Sequence, residues 1–147
     1  MTIKNFVVNA AAVLLLAAPA WANDGWERNS EYNKNYNVKT VQTITGKVLE
    51  IDRNSRPLKG MIPGFSAVVQ PAKGDPIRVQ IGPNWFTSYY RQQWNTQVGD
   101  QVTLTGSVVN LNGQRVMLVS QGQKGEHKLT IRDSQGSPVW DIQIAGF

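Results

Sequence analysis

The residues able to do chemistry in this chain are few. There is one histidine, His127, and no cysteine. That excludes a thiol nucleophile, a thiolate metal site and a disulfide framework. His127 lies in KGEHKL beside Glu126, and adjacent strand residues point to opposite faces. A metal centre needs several convergent ligands, so His127 reads as an exposed structural residue. A Ser–His–Asp relay would have to combine His127 with Asp133, and no serine occupies a strand-to-helix elbow motif. Glu50 and Asp52 are the most closely spaced acids. Two apart on a strand, they would share one side beside Arg53, which fits a surface ion pair better than a hard-cation site or a hydrolytic pair. No glycine-rich phosphate loop is present. The chain is expected to be non-enzymatic, with no catalytic residue, metal or cofactor.

Binding is the remaining chemistry. The formal charge is +5, or +4 without Lys4, and the pI is 9.7. Charges of both signs alternate along the chain with no basic run, as on an ordinary soluble surface. Arg53, Arg56 and Lys59 fall in one loop, Arg78 stands beside Gln80, and Arg115 follows Asn110 and Asn112. Brought together, these five residues would form a positive patch suited to an anionic oligomer such as an acidic glycan. A solvated basic surface explains them more simply. Single-stranded nucleic acid is disfavoured, because base stacking needs exposed rings and Phe65 is expected to point inward with Ala67 and Val69.

The start of the chain, MTIKNFVVNAAAVLLLAAPAWA, has a short positive region, an apolar run densest from Ala10 to Ala18, and small residues at Ala20 and Ala22. This is the pattern of a secretory signal, too short for a comfortable permanent span. Cleavage is expected after Ala22, leaving a periplasmic or secreted protein with no stable membrane anchor. Residues 23–39 are rich in Asn and charge and lack an apolar period. They read as an extended, weakly ordered lead-in that Trp26, Tyr32 and Tyr36 could pin to a domain surface.

Residues 40–147 must supply the scaffold. TVQTITGKVLEID is long and β-branched, with Gly46 marking a bulge or bend. A Pro/Gly loop follows, then strands at FSAVVQP and PIRVQIG. In GPNWFTSYYRQQWNTQVGD, Trp85 and Tyr89 are four apart, as are Phe86, Tyr90 and Trp94. That is helical spacing with a broad apolar face. QVTLTGSVVNL and QRVMLVSQ flank Asn112-Gly113, a strong hairpin turn. HKLTIRD and PVWDIQI predict a last hairpin. Three strands, a helix and two strands is the order of an OB-fold, a five-stranded Greek-key barrel. The expectation is therefore all-β with one helix between strands 3 and 4, plus an extra C-terminal β-hairpin. Phe86, Tyr90 and one of Trp85 or Trp94 would plug the barrel end, leaving Tyr89 at the surface.

The segments TITGKVLEID, VQIGPNWF, VGDQVTLTGSVVNLNGQRVMLVSQ and LTIRDSQGSPVW resemble a group of exported bacterial OB-fold proteins. The resemblance implies a small periplasmic accessory or ligand-binding domain and carries over no catalytic residues. Trp140, Ile142, Ile144 and Phe147 form an apolar end that a lone barrel would leave partly exposed, as at an interface. The expected role is a non-catalytic accessory protein docking on a larger exported partner. A binding module for an anionic oligomer is the alternative.

Overall fold

The computed structural model describes residues 24–89 and 95–141. The predicted signal, Tyr90, Trp94, Ile142, Ile144 and Phe147 lie outside the described residues.

Six strands and a short helix follow one another as β1 (Val41–Ser55), β2 (Gly64–Pro71), β3 (Ile77–Pro83), α1 (Asn84–Tyr89), β4 (Gln101–Leu111), β5 (Gln114–Lys124) and β6 (His127–Thr130). The sheet order is β3-β2-β1-β4-β5-β6, and parallel pairing of β3 with β5 closes it into a barrel. Strand order and helix position are those expected for an OB-type barrel.

Closure depends on β1 serving two partners. Its first half pairs with β4 and its second with β2, and Gly46 faces both Val102 and Pro71. A Cβ at Gly46 would stand 2.2 Å from the carbonyl oxygen of Gln70. Only glycine fits where the neighbouring backbone comes so close. The register shift itself falls just beyond, between Val48 and Glu50. At the β4–β5 turn Asn112 and Gly113 take φ values of 51° and 80°, as a tight hairpin turn requires.

Alternation along the strands sends Phe65, Ala67, Val69, Val79, Val102 and Leu104 inward. Phe86 is buried, its ring 5.3 Å from that of Trp140. Trp85 and Tyr89, four residues apart on α1, are 39% and 79% exposed. The helix thus divides its aromatic residues between one buried ring and an outer stripe, and the α1 side chain that lines the barrel interior is Thr87 rather than Phe86.

Both ends of the described chain differ from expectation. The lead-in is not extended: turns and two short 3-10 helices, Asn33–Asn35 and Val38–Thr40, fold it onto the barrel. Its polar residues make turns rather than disorder. Asn33 Nδ2 donates to the carbonyls of Trp26 and Glu27, both at 2.8 Å, and Asp24 Oδ1 accepts from the Trp26 amide at 2.8 Å. Trp26 becomes 0% exposed. At the other end, the predicted last hairpin is reduced to a single bridge, Arg132 with Pro138. Residues 139–141 then turn helically.

These two segments cover the outside of β2 and β3. A Cβ at Gly64 would lie 2.3 Å from the Trp26 ring, and one at Gly82 would lie 3.0 Å from the Trp140 ring. Two glycines therefore form the slots into which two indoles settle. Among the described residues, no helix is long and apolar enough to cross a membrane.

Candidate docking surface

Arg53 is exposed toward the end of β1 rather than in the loop expected from sequence, while Arg56 and Lys59 are exposed in the β1–β2 loop. The Arg53 guanidinium lies 4.8 Å from the centre of the Phe65 ring, within reach of a cation–π attraction. Arg56 Nη1 donates to the carbonyl of Met61 at 3.4 Å, holding the loop's far side. Asn84, the first residue of α1, joins loop to helix. Its side-chain amide donates to the Arg53 carbonyl, and its backbone N–H donates to the Pro63 carbonyl at 3.3 Å.

Asp24 ties in the lead-in. Its Oδ2 accepts from the Trp85 indole at 3.1 Å, and its carbonyl accepts from the Ile62 amide at 3.0 Å. Burial pushes the Asp24 carboxyl above the usual carboxylate range, while hydrogen bonds from Trp26 and Trp85 pull it back. Ile62 is 38% exposed beside this acid. These contacts hold the end of β1, the β1–β2 loop and α1 together, and the exposed side chains these elements carry are Arg53, Arg56, Lys59, Ile62, Trp85 and Tyr89. Exposed aromatic and arginine side chains are the types enriched at protein interfaces.

The other two basic residues predicted to join the patch stand elsewhere. Arg78 pairs in register with Val116, the neighbour of Arg115. Five residue steps along β3, about 17 Å at strand rise, separate Arg78 from Pro83 at the α1 end. The five basic residues thus form two groups. Arg78 is half-buried, donating to Ser66 Oγ at 2.9 Å and pairing with Glu50 at 3.8 Å. The ion pair of Glu50 is therefore with Arg78, not Arg53. Asp52 accepts from the Asn54 amide at 2.8 Å.

Trp140, predicted to lie on an exposed apolar end, is 1% exposed. The chain turns back after Pro138 instead of continuing as a strand, which drops the indole onto Gly82. Ile142, Ile144 and Phe147 lie outside the described residues. His127 is exposed on β6. Asp133 Oδ1 accepts from the amides of Gln135 and Ser137, both at 2.9 Å, so that carboxylate organises a turn. Among the described residues, no group of three or more His, Asp or Glu side chains is placed to hold a metal.

Sequence reasoning missed Arg132. It is buried, with its guanidinium 5.1 Å from the Tyr36 ring centre, 5.5 Å from Trp140 and 6.0 Å from Tyr32. Nη1 donates to the Gly136 carbonyl at 2.9 Å. Nε, Nη2 and the Tyr32 hydroxyl make no hydrogen bond among the described residues. Burial lowers the pKa of Arg132 and pushes Tyr32 up to about 12, so Tyr32 is neutral at pH 7. In the sequence, Arg132-Asp133 looks like a polar turn entry. Its burial depends on rings supplied by the lead-in, a hundred residues away.

A search among curated proteins returned no match. Residues 40–129, running from the start of the barrel into β6, match the MamS/MamX magnetosome protein family, and the chain belongs to that family.

Proposed function

We propose that this chain is a non-catalytic accessory protein of the cell envelope that docks on a larger exported partner through the surface built by α1 and the β1–β2 loop. One observation carries the reading. Trp85 and Tyr89 are exposed one helical turn apart, on a helix whose Asn84 is bonded to Arg53 at the end of β1 and to Pro63 in the loop that carries Arg56 and Lys59. Burying such rings is a main source of binding energy at interfaces. Membership of a magnetosome protein family supports an accessory role. The predicted signal, with cleavage after Ala22, supports export to the periplasm.

Trp140 is used inside the fold and is not offered to a partner, so the docking proposal rests on α1 and its neighbours; Ile142, Ile144 and Phe147 lie outside the described residues. An anionic oligomer contacting all five basic residues would have to bridge two separated groups. Docking needs only the group beside the helix. Cross-linking from intact cells, comparing the natural chain with a Trp85→Ala/Tyr89→Ala form, tests the reading. A specific cross-linked partner lost in the double variant supports it. A protein that runs as an unpartnered monomer in cells and in solution contradicts it.

A further inference from the structure

Asp24 is an acid at a place where an amide would fit the fold more cheaply. The residue is buried, and taking a charge out of water costs stability. Its raised pKa, with burial as the first cause, records that cost. Oδ1 accepts from the Trp26 amide, two residues on, at 2.8 Å. That closes an Asx turn, which asparagine closes equally well. Asparagine cannot accept with both side-chain terminal atoms, whereas a carboxylate can. The second oxygen of Asp24, Oδ2, accepts from the Trp85 indole N–H at 3.1 Å. That bond is the feature that calls for an acid.

The chain around Asp24 aims it. Gly25 has a φ of 92°, and a Cβ there would stand 2.5 Å from Cγ of Met61. The Gly25 N–H donates to Glu27 Oε2 at 2.9 Å, and the Ile62 amide donates to the Asp24 carbonyl at 3.0 Å. The start of the lead-in is thus pressed against the β1–β2 loop, with its carboxylate turned to α1. Trp85 is held by its N–H while the residue stays 39% exposed. An untethered exposed side chain samples several rotamers, and a partner that fixes one loses affinity to the entropy of ordering it. Asp24 precedes residue 40, where the family match begins, and Trp85 lies within the match. The group that sets the ring is therefore supplied from outside the matched barrel.

We propose that Asp24 is the positioning residue of the docking surface: its second carboxylate oxygen holds the Trp85 indole in the pose a partner meets, so the folded lead-in governs docking. The inference rests on docking through α1.

Asp24→Asn isolates this role, because it keeps the acceptor for Trp26 and turns an NH2 toward the indole. Two readouts test it. In NMR of the mature chain, the Trp85 indole N–H, identified by its loss in Trp85→Phe, should exchange with solvent about tenfold faster in Asp24→Asn, as expected for loss of one charge-assisted bond. In cells, cross-linking from a photo-reactive amino acid at position 89 should fall about fivefold in Asp24→Asn, the effect of having to order one side chain on binding. In a Trp85→Phe background the same change should cause no further fall. An indole signal indifferent to Asp24→Asn would overturn the proposal whatever the partner does. A released indole without loss of cross-linking, or an equal loss in both backgrounds, would overturn the positioning role and leave docking standing. A held indole with no cross-linked protein from the natural chain would contradict docking itself, and this role with it.

Discussion

The indole N–H of Trp140 donates to the main-chain carbonyl of Trp26 at 2.8 Å, joining two segments 114 residues apart. The rings meet edge to face at 6.2 Å. Nearby, the Arg28 amide donates to Asp141 Oδ2 at 2.7 Å. The barrel is thus closed on its outer side by its own two ends. Trp26→Ala should destabilise the protein by about 3–5 kcal/mol, as for other buried large-to-small changes. Trp140→Ala should do the same, and the double variant should cost less than the sum, because the two share one contact. Urea unfolding of the mature chain measures all three.

The glycine slots give a second expectation. Gly64→Ala places a methyl 2.3 Å from the Trp26 ring and leaves 2.6 Å to the Gly82 carbonyl. Overpacking of this kind costs about 1–3 kcal/mol. A combined Gly64→Ala/Trp26→Ala form should lose less than the separate effects predict, since the clash with the ring is then gone and only that with the Gly82 carbonyl remains. Thermal unfolding of the four proteins decides it.

Arg132 gives a third. A buried charge whose donors are only partly met contributes little net stability, and an apolar side chain of similar size often serves as well. Arg132→Met should stay within about 1 kcal/mol of the natural protein, whereas Arg132→Ala, which empties the space among three rings, should cost about 3 kcal/mol. Equal losses in the two variants would show that the guanidinium charge itself is required.

The scaffold was legible in the sequence because its signals are local. Period-two alternation marked β2, β3 and β4, Asn112-Gly113 marked the hairpin, and the four-residue spacing of Trp85 with Tyr89 and of Phe86 with Tyr90 marked the helix. The exposure of Tyr89 also followed from that spacing, since a helix cannot turn every ring inward. The lead-in was misread because composition does not distinguish a disordered polar run from one whose Asn and Ser side chains close turns. Asn33 and Ser30 do the latter. The candidate docking surface was half legible. Arg53, Arg56 and Lys59 are near in sequence, but β1 extends past Arg53, and the junction of this region with α1 passes through Asn84 and Asp24, contacts of 31 and 61 residues' separation. The grouping of Arg78 with Arg115 depends on the parallel register of β3 with β5, which no local pattern states.

Two carboxyls give pH signatures of opposite sign. The Gln97 amide and the Lys124 ammonium hold Asp100 below its ordinary value of 3.8. Its stabilisation is present above that value and is lost as pH falls through the folded-state pKa. Asp100→Asn should therefore lower stability at neutral pH by about 1 kcal/mol, modest because the pair is partly exposed, with the difference vanishing in acid. Asp24, raised by burial, binds its proton more tightly in the fold, so its ionisation removes stability as pH rises from 3.8 through its folded value. Unfolding free energy followed against pH for the natural protein and Asp100→Asn separates the two.

Docking through the outer stripe of α1 is tested most directly by a photo-reactive amino acid placed at position 89 in the full chain, expressed in its own cells. The account predicts one dominant cross-linked exported protein, with its yield reduced about tenfold or more by Trp85→Ala, in line with a central interface ring. A cross-linker on the far side, at Thr43, should give no such product. Cross-linking equal at positions 89 and 43, or unaffected by Trp85→Ala, would contradict it.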